Sequence, residues 1–304
     1  MSAPRDRDIR PALLAGCFLV VLVVAGCSGK PGQAAFNFDW SAFFRDVSPF
    51  SRGLLGAVYI TVVISVLSQA IGVALGVFAA LGKMAKIAPL RAIANLYIWI
   101  FRGTPVVVQL MFGFYGLSAA HLWGWDAFTI FGFKIAGEIQ AGIIILGINE
   151  GAYMAEIIRA GILAVDPGQT EAAKSLGMTY GQTMSRIVLP QAARVIIPPL
   201  GNEFNNMLKT TSLLFVLSVI ETYNHYNIAQ GQNFQPFEEF LGAALWYLVM
   251  TTIWGVVQSR IERRFARGTA TGSSAPQAPR WRMRFFGRTF YDVGSGGSSG
   301  LGGH

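Results

Sequence analysis

Apolar runs of membrane-spanning length constrain this chain more than any other feature of its sequence. A helix needs about 20 apolar residues to cross the hydrocarbon core of a bilayer. Strands of a membrane barrel would instead alternate apolar and polar residues over about 10 positions, and these runs do not. With 53% hydrophobic and 13% charged residues, the chain is predicted to be an all-α integral membrane protein. Five clear runs cover residues 54–81, 93–118, 138–160, 197–219 and 238–258, and a shorter sixth run covers 11–27.

Lysine and arginine residues gather at alternate ends of the runs, and this asymmetry predicts the orientation of the chain. Basic residues close to membrane helices stay on the cytoplasmic side. The loop 166–195 and the C terminus are therefore predicted to be cytoplasmic, and the connections 119–137 and 221–237 to face outward. The net charge of +8 then reflects topology and not a nucleic-acid surface. The basic residues concerned are Arg5, Arg7, Arg10, Lys83, Lys86, Arg91, Lys174, Arg186, Arg194, Arg260, Arg263, Arg264 and Arg267.

Composition divides the chain into four predicted parts. These are an N-terminal hydrophobic segment (1–27), an external linker (28–53), a transmembrane domain (54–265) and a cytoplasmic tail (266–304) that we expect to be largely disordered. The first part ends in a sequence around Cys27 that resembles a lipoprotein signal. Cleavage with lipidation of Cys27 and a short extra helix both stay open. The two cysteines and three histidines are too scattered to predict a disulfide or a metal site, and no cofactor is expected.

The polar loop between the third and fourth runs predicts two short helices at an angle. Asp166 can cap a helix whose first residue is Pro167. Gly177 supplies the left-handed residue that ends this helix. Thr179 can then start a second short helix that runs toward Pro190. The pair would form a knob that fits a groove on a partner protein.

Residues of this loop also follow a recognisable spacing: Glu171-Ala172-Ala173, then Gly177, then Ile187 and Leu189-Pro190. The pattern resembles the EAA signature of permease subunits of ATP-binding-cassette importers, with every signature position filled. Four further segments are similar to the polar amino acid branch of that family, and the similarity covers residues 50–265. These segments are 150–162, Gly168-Gln169, Arg102-Gly103-Thr104-Pro105 and Lys209-Thr210-Thr211-Ser212-Leu213.

The resemblance implies a five-helix importer-permease core in a bacterial inner membrane. The implied partners are a second permease copy, equal or unequal, two ATPase subunits that bind the ATP, and an extracytoplasmic solute-binding protein that delivers an amino acid. The chain contains no Gly-x-x-x-x-Gly-Lys-Ser/Thr phosphate loop, so it is predicted not to be the ATPase itself. For Glu171, complementing the helix dipole and pairing with a basic residue of an ATPase both stay open. The implied coupling residues are Glu171, Ala172, Ala173, Gly177, Leu189 and Pro190.

Polar groups at membrane depth mark the predicted substrate path, because they are costly in lipid and usually face the interior of a bundle. An amino acid needs an acceptor for its ammonium group and donors for its carboxylate, which Glu150 with Asn202 and Asn206 could supply. Glu203 falls off the helical stripe of the two asparagines. Glu150 favours a zwitterion or a cation and Lys209 an anion, so no particular amino acid is indicated. Helix packing stays open as the alternative role of these residues, and an ion-coupled secondary transporter as the alternative function. The path residues are Asn149, Glu150, Tyr153, Asn202, Asn206, Lys209 and Thr211.

Three local features of the runs predict contacts or breaks. Pro105 cannot continue a helix without losing a hydrogen bond, so the second run should break there. Glu156 and Arg159 are three residues apart and are placed to form an ion pair. Gly72 and Gly76 permit close contact with another helix.

Overall fold

The computed structural model describes residues 38–51, 53–130 and 132–266, and these residues are mostly helical. The predictions for the run at 11–27, for Cys27 and for nearly all of the tail lie outside them. The helices are α1 (Trp40–Val47), α2 (Leu54–Met84), α3 (Ala88–Gly103), α4 (Val106–Met111), α5 (Leu117–Ala119), α6 (Gly137–Leu163), α7 (Pro167–Ser175), α8 (Tyr180–Thr183), α9 (Leu189–Thr210), α10 (Thr222–Asn233) and α11 (Pro236–Ala266). Further elements are π-helical turns at Phe112–Gly116 and Met184–Val188, a 3-10 helix at Thr211–Leu217, and the antiparallel strands β1 (Phe128–Ile130) and β2 (Phe133–Ile135).

In the described part of the chain, three helices are long and apolar enough to cross a membrane without a break, namely α2, α6 and α11. The pair formed by α3 and the segment Val106–Ala119 qualifies as a fourth crossing, bent by 107°. This bend lies at Pro105, where the sequence predicts the break. The fourth predicted run, 197–219, coincides with the second half of α9 and the 3-10 helix that follows it. The helical fold predicted from the apolar runs is confirmed.

Helices α2 and α6 pack along a seam in which glycine brings the two backbones together. A Cβ atom built at Gly72 would lie 2.6 Å from Cγ of Glu150, and one built at Gly76 would overlap the Cβ of Met154. From the other helix, a Cβ at Gly147 would lie 2.8 Å from the Ile71 side chain. Larger residues would force the helices apart, so the seam depends on these glycines. The close contact predicted for Gly72 and Gly76 is confirmed.

Apolar side chains fill the space around this seam in two layers. The layer nearer the start of α2 includes Ile64, Leu146 and Leu214, which are almost completely buried. The other layer, toward the polar loop, includes Met154 and Val188. Since α2, α6, α9 and the 3-10 helix all contribute, the core ties the polar loop to the membrane helices.

A buried carboxylate organises the end of the bundle opposite the polar loop. Glu221 has no exposed surface and caps α10, accepting hydrogen bonds from the amide nitrogens of Tyr223 (3.0 Å) and Asn224 (2.8 Å). It also accepts one from the hydroxyl group of Tyr247 on α11 (2.7 Å). Burial raises the pKa of Glu221 above its ordinary value, while these hydrogen bonds act to lower it. The residue therefore joins α10 to α11 at this end of the bundle.

The segment predicted as an external linker contains α1, which packs against α11. Asp39 caps this helix by accepting a hydrogen bond from the amide of Ala42 (2.9 Å) and one from the hydroxyl of Ser41 (2.7 Å). These two bonds lower the pKa of the Asp39 carboxyl. Part of the region between the hydrophobic segment and the first long helix is thus an ordered element.

Candidate coupling loop and substrate path

Helix α7 begins as the sequence predicts. Asp166 precedes the helix with an extended backbone, and its carboxylate accepts a hydrogen bond from the amide of Gly168 (2.8 Å). Pro167 is the first helical residue, where its missing N–H group costs nothing. The start of α7 is therefore fixed by its own sequence.

Helix α7 ends in a Schellman motif built on Gly177. This residue has a φ of +77°, which an L residue with a side chain adopts only with strain. The amide of Met178 donates to the carbonyl of Ala173 (3.1 Å), and the amide of Gly177 donates to the carbonyl of Lys174 (2.9 Å). These are the two bonds that define the motif. The left-handed stop predicted for Gly177 is confirmed.

The second helix of the loop starts where predicted but does not end there. Thr179 and Gln182 form a capping box, in which the Thr179 amide donates to Oε1 of Gln182 (2.9 Å) and the Gln182 amide to the Thr179 hydroxyl (3.4 Å). The helix then passes through the π-helical turn at Met184–Val188 directly into α9. Pro190 lies in the first turn of α9, where a missing N–H is tolerated. The result is one continuous helical segment and not a short helix that stops near Pro190.

The signature residues of the loop divide into an inner and an outer set. Ala173 is buried beneath α7, whereas Glu171, Ala172 and Gly177 are exposed. Leu189 and Pro190 are also exposed, at the start of α9. The small Ala173 side chain lets α7 lie close to the underlying helices, while Glu171 and Ala172 point away from them.

An open groove of about 340 Å³ runs between α7, α8 and the end of α6. Glu171 and Lys174 line one edge, and the ring of Tyr180, which is 73% exposed, lines another. Leu176 at the tip of the loop is 82% exposed. An exposed apolar tip beside a largely apolar groove with charged residues at its edge is typical of a surface that another protein covers.

Asn149 and its partners lie at the break between α3 and α4. Its side-chain amide donates to the carbonyl of Phe101 (3.0 Å) and to Oε1 of Gln109 (3.0 Å). The Gln109 amide in turn donates to the hydroxyl of Thr104 (2.8 Å). Asn149 thus satisfies a backbone carbonyl that the proline break leaves without a helical partner.

Glu150 lies one residue further along α6 and is almost completely buried. Its side chain packs on Gly72, and its Oε1 atom has no hydrogen-bond partner among the described residues. The amide group of Gln69 is a polar neighbour, and the charge of Glu203 acts on Glu150 electrostatically. Two carboxyl groups in a low-dielectric region repel each other unless a proton or a cation lies between them.

Glu156, two turns further along the same helix, has the opposite surroundings. It forms ion pairs with Lys83 of α2 and with Arg159 (2.8 Å). The pair predicted between Glu156 and Arg159 is confirmed, and Lys83 is the partner that sequence spacing could not reveal. Tyr153, on the helix between the two glutamates, contacts Arg102, whose guanidinium carbon lies 5.3 Å from the ring centroid.

The remaining path residues do not converge on Glu150. Asn202 accepts a hydrogen bond from Gln258 of α11 (3.1 Å), and Lys209 lines a groove between α9, α10 and α11. Asn206 lies within 3.5 Å of the Glu203 carboxylate. The buried hydroxyl of Thr211 donates to the carbonyl of Leu208 in the preceding turn (2.8 Å). The stripe of Asn202 and Lys209 therefore faces α11, whereas Glu203, off the stripe, acts electrostatically on Glu150.

Sequence reasoning missed three side chains of this polar region. Glu203 and Gln69 act on Glu150, and Gln109 is bonded to Asn149. The signal for Glu203 was present as an acidic residue inside an apolar run, but helical spacing placed it off the stripe of Asn202 and Asn206. Among the described residues, no group of three histidine, aspartate, glutamate or cysteine side chains could hold a metal ion.

Membrane-crossing helices, polar side chains at membrane depth and one exposed, capped loop define the membrane-embedded part of a transport system. The chain belongs to the family described as "Binding-protein-dependent transport system inner membrane component", whose model matches residues 72–267. The resemblance stated from the loop residues is confirmed.

Curated relatives in this family are amino acid permeases. The chain is 41% identical over 281 residues to the arginine transport system permease protein ArgU of Corynebacterium glutamicum, covering 91% of this chain and 88% of the relative. It is 38% identical to the L-cystine transport system permease protein TcyB of Bacillus subtilis, covering 71% of this chain and 88% of the relative. It is 33% identical to the glutamine transport system permease protein GlnP of Escherichia coli, covering 75% and 98%.

Solved structures show the same fold. A chain of an amino acid ABC transporter crystallised with histidines superposes with a TM-score of 0.65 at 38% identity, covering 75% of this chain and 100% of the other. A chain of the MetNI methionine ABC transporter in an inward-facing conformation gives a TM-score of 0.58 at 16% identity, covering 72% and 100%. The second match concerns the fold alone.

Proposed function

We propose that this chain is the membrane permease subunit of an importer for polar amino acids and that it receives its energy through the loop 166–195. The observation that carries the proposal is the exposed, locally capped helix α7, which presents Glu171 and Ala172 outward. Its caps lie within the loop itself, so the helix keeps its shape while its outer face is free for a partner. ATP would be bound and hydrolysed by two separate ATPase subunits, and this chain would need no cofactor.

The proposed assembly follows from the family to which the chain belongs. A second permease copy, identical or not, would complete the path through the membrane, and an extracytoplasmic solute-binding protein would deliver the amino acid. The clusters of basic residues support a cytoplasmic position for the loop 166–195 and for the C terminus. Glu171 would pair with a basic residue of an ATPase, and movement of α7 would change the opening of the path.

Within the polar amino acids, we propose that the path favours substrates that carry a positive charge. The charged group that acts on Glu150 is another carboxyl group, that of Glu203. The Oε1 atom of Glu150 has no hydrogen-bond partner in the described chain. A guanidinium or ammonium group would compensate both carboxylates. The 41% identity to an arginine permease supports the same class of substrate.

The test of the coupling role is uptake of labelled amino acid into proteoliposomes that contain the complex recovered through this chain. We expect uptake only with ATP on the side of the ATPases. Glu171→Arg should abolish uptake while the ATPase still co-purifies in part and the membrane helices stay folded. The matched control is Gln169→Arg, which adds the same charge to an exposed position of the same helix outside the signature. If a proton or sodium gradient alone drives uptake, the chain is a secondary transporter and the proposal fails.

The test of the substrate class compares arginine, glutamine and cystine in the same vesicles. Glu150→Gln should reduce arginine uptake at least about tenfold, since a lost charged hydrogen bond costs about 1.5–3 kcal/mol. Glu138→Gln, the same substitution in the first turn of the same helix, is the control. Unchanged arginine uptake in Glu150→Gln would remove this residue from the path and leave it a role in helix packing.

A further inference from the structure

A pocket of about 400 Å³ lies between α1, α10 and the start of α11, at the end of the bundle opposite the polar loop. Pockets that hold small organic ligands have volumes of about 300–1,000 Å³. Ile220, Ile228 and Ala229 form an apolar part of its lining, and most of the other lining side chains are polar or charged. None of the described residues that line this pocket is among those that act on Glu150, so the two sites are separate.

Glu239, in the first turn of α11, lines this pocket and is only 2% exposed. Its Oε1 atom accepts a hydrogen bond from the side-chain amide of Asn233 (2.6 Å). Its Oε2 atom is buried and has no hydrogen-bond partner among the described residues. A buried carboxylate oxygen without a donor is costly. A ligand that brings N–H groups into the pocket would remove this cost.

The charges around Glu239 leave the pocket with a negative excess. The carboxyl group of Asp46 lies within hydrogen-bond reach of Glu239 and is itself paired with Arg45 through two bonds of 2.9 Å. When both carboxyl groups are ionised, two negative charges thus face one guanidinium group. Burial lowers the pKa of His225, so its imidazole is neutral at pH 7 and adds no positive charge. Two carboxylates this close require a proton or a further cation between them.

Hydrogen bonds between the three helices hold the pocket in shape. The Tyr226 hydroxyl of α10 donates to the carbonyl of Asp46 (3.2 Å), which joins α10 to α1. The indole nitrogen of Trp246 on α11 donates to the carbonyl of Val47 (3.0 Å), which joins α11 to α1. The lining is therefore in place before a ligand arrives, which lowers the entropic cost of binding.

We propose that this pocket binds a small molecule that carries a guanidinium or ammonium group at the end of an aliphatic chain, as a free basic amino acid does. The cation would donate to Oε2 of Glu239, and the methylene groups would lie on Ile220 and Ile228. This site is additional to the path at Glu150. Only its position on the outside of the cell rests on the proposed function, through the orientation of the loop 166–195.

The test is amide hydrogen exchange in the purified complex without its solute-binding protein, as L-arginine is added. We expect arginine to slow exchange in α1 and α10, both in the unsubstituted chain and in Glu150→Gln, which changes the path alone. L-citrulline has the same length as arginine but no charge on its side chain. It should need at least about tenfold higher concentration for the same effect, because charged hydrogen bonds are the stronger ones.

Glu239→Gln should abolish this effect of arginine. The new side chain still accepts from Asn233 and can donate to Asp46, so the variant is expected to fold. The matched control is Glu238→Gln, the same substitution one residue earlier, where the side chain accepts from the Asp39 amide (3.1 Å) outside the pocket. It should keep the arginine effect. If Glu239→Gln does not assemble, Asp46→Asn serves instead, because it leaves Arg45 unpaired beside the pocket and should repel the ligand.

Four results would overturn the proposal. Slower exchange that persists in Glu239→Gln would place arginine elsewhere, and an effect lost in Glu150→Gln would come from the path. An effect of the solute-binding protein that free arginine does not produce would mean that the pocket takes a side chain of that protein. No effect of either would leave Asp46 and Glu239 sharing a proton without a ligand.

Discussion

The seam between α2 and α6 and the polar loop at 166–195 are built in opposite ways. In the seam, glycines at positions 72, 76 and 147 bring two long helices into backbone contact, so each residue depends on a partner far away in sequence. In the loop, the capping groups of α7 and α8 come from residues of the loop itself. The long-range contacts of the seam hold two helices rigidly together. The local caps of the loop let α7 keep its shape without contacts from distant parts of the chain.

The largest effect is expected in the seam, from Gly76→Leu. The new side chain would overlap Met154 and the backbone at Ala155, so the two helices would have to separate. Overpacking of this kind costs roughly 3 kcal/mol. Thermal unfolding of the purified complex should show a clear fall in the midpoint or a loss of folded protein.

The control for this variant is Gly56→Leu, on the same helix but with open space around the added side chain. It should unfold close to the midpoint of the unsubstituted chain. Equal losses in both variants would mean that a larger side chain anywhere on α2, and not contact in the seam, lowers the midpoint.

A smaller effect is expected where the seam reaches the loop, from Glu156→Gln. The change leaves the cations Lys83 and Arg159 facing a neutral group. Since all three side chains are about a fifth to a third exposed, the loss should be about 1 kcal/mol. Lys83→Met should cost less, because Glu156 keeps its bond to Arg159. A larger loss in Lys83→Met than in Glu156→Gln would contradict this ordering.

The most local effect on stability is expected in the loop, from Gly177→Ala. Nothing lies within 4 Å of the added methyl group, so the only cost is the left-handed backbone, which is about 1 kcal/mol. Gly181→Ala is the matched control, since that glycine has equal space and no positive φ. We expect amide hydrogen exchange to accelerate in α7 for Gly177→Ala alone, with the exchange of α6 unchanged. Faster exchange in α6 as well would show that loop and seam are coupled more strongly than their contacts suggest.

The same contrast explains which features could be predicted from the sequence. The ends of α7 follow from Asp166, Pro167 and Gly177, because each acts on backbone groups within a few residues. The ion pair of Glu156 with Arg159 also follows from spacing along one helix. The partners of Glu150 could not be predicted, because they depend on how α6, α2 and α9 meet, and spacing on α9 pointed to the face that bonds to α11.

Residues Tyr180 to Thr210 form one continuous helical segment, in which a π-helical turn connects α8 to α9. If α7 receives force from an ATPase as proposed, this segment would carry the movement from the loop to the membrane core. The hydrogen bonding of this segment is weakest at Pro198 and Pro199, which remove two backbone donors in mid-helix. Gln258 of α11 donates to the carbonyl of Pro198 (3.3 Å), so the segment is bonded to the last membrane helix at the same point. A force applied at α7 would therefore be converted into bending at this point.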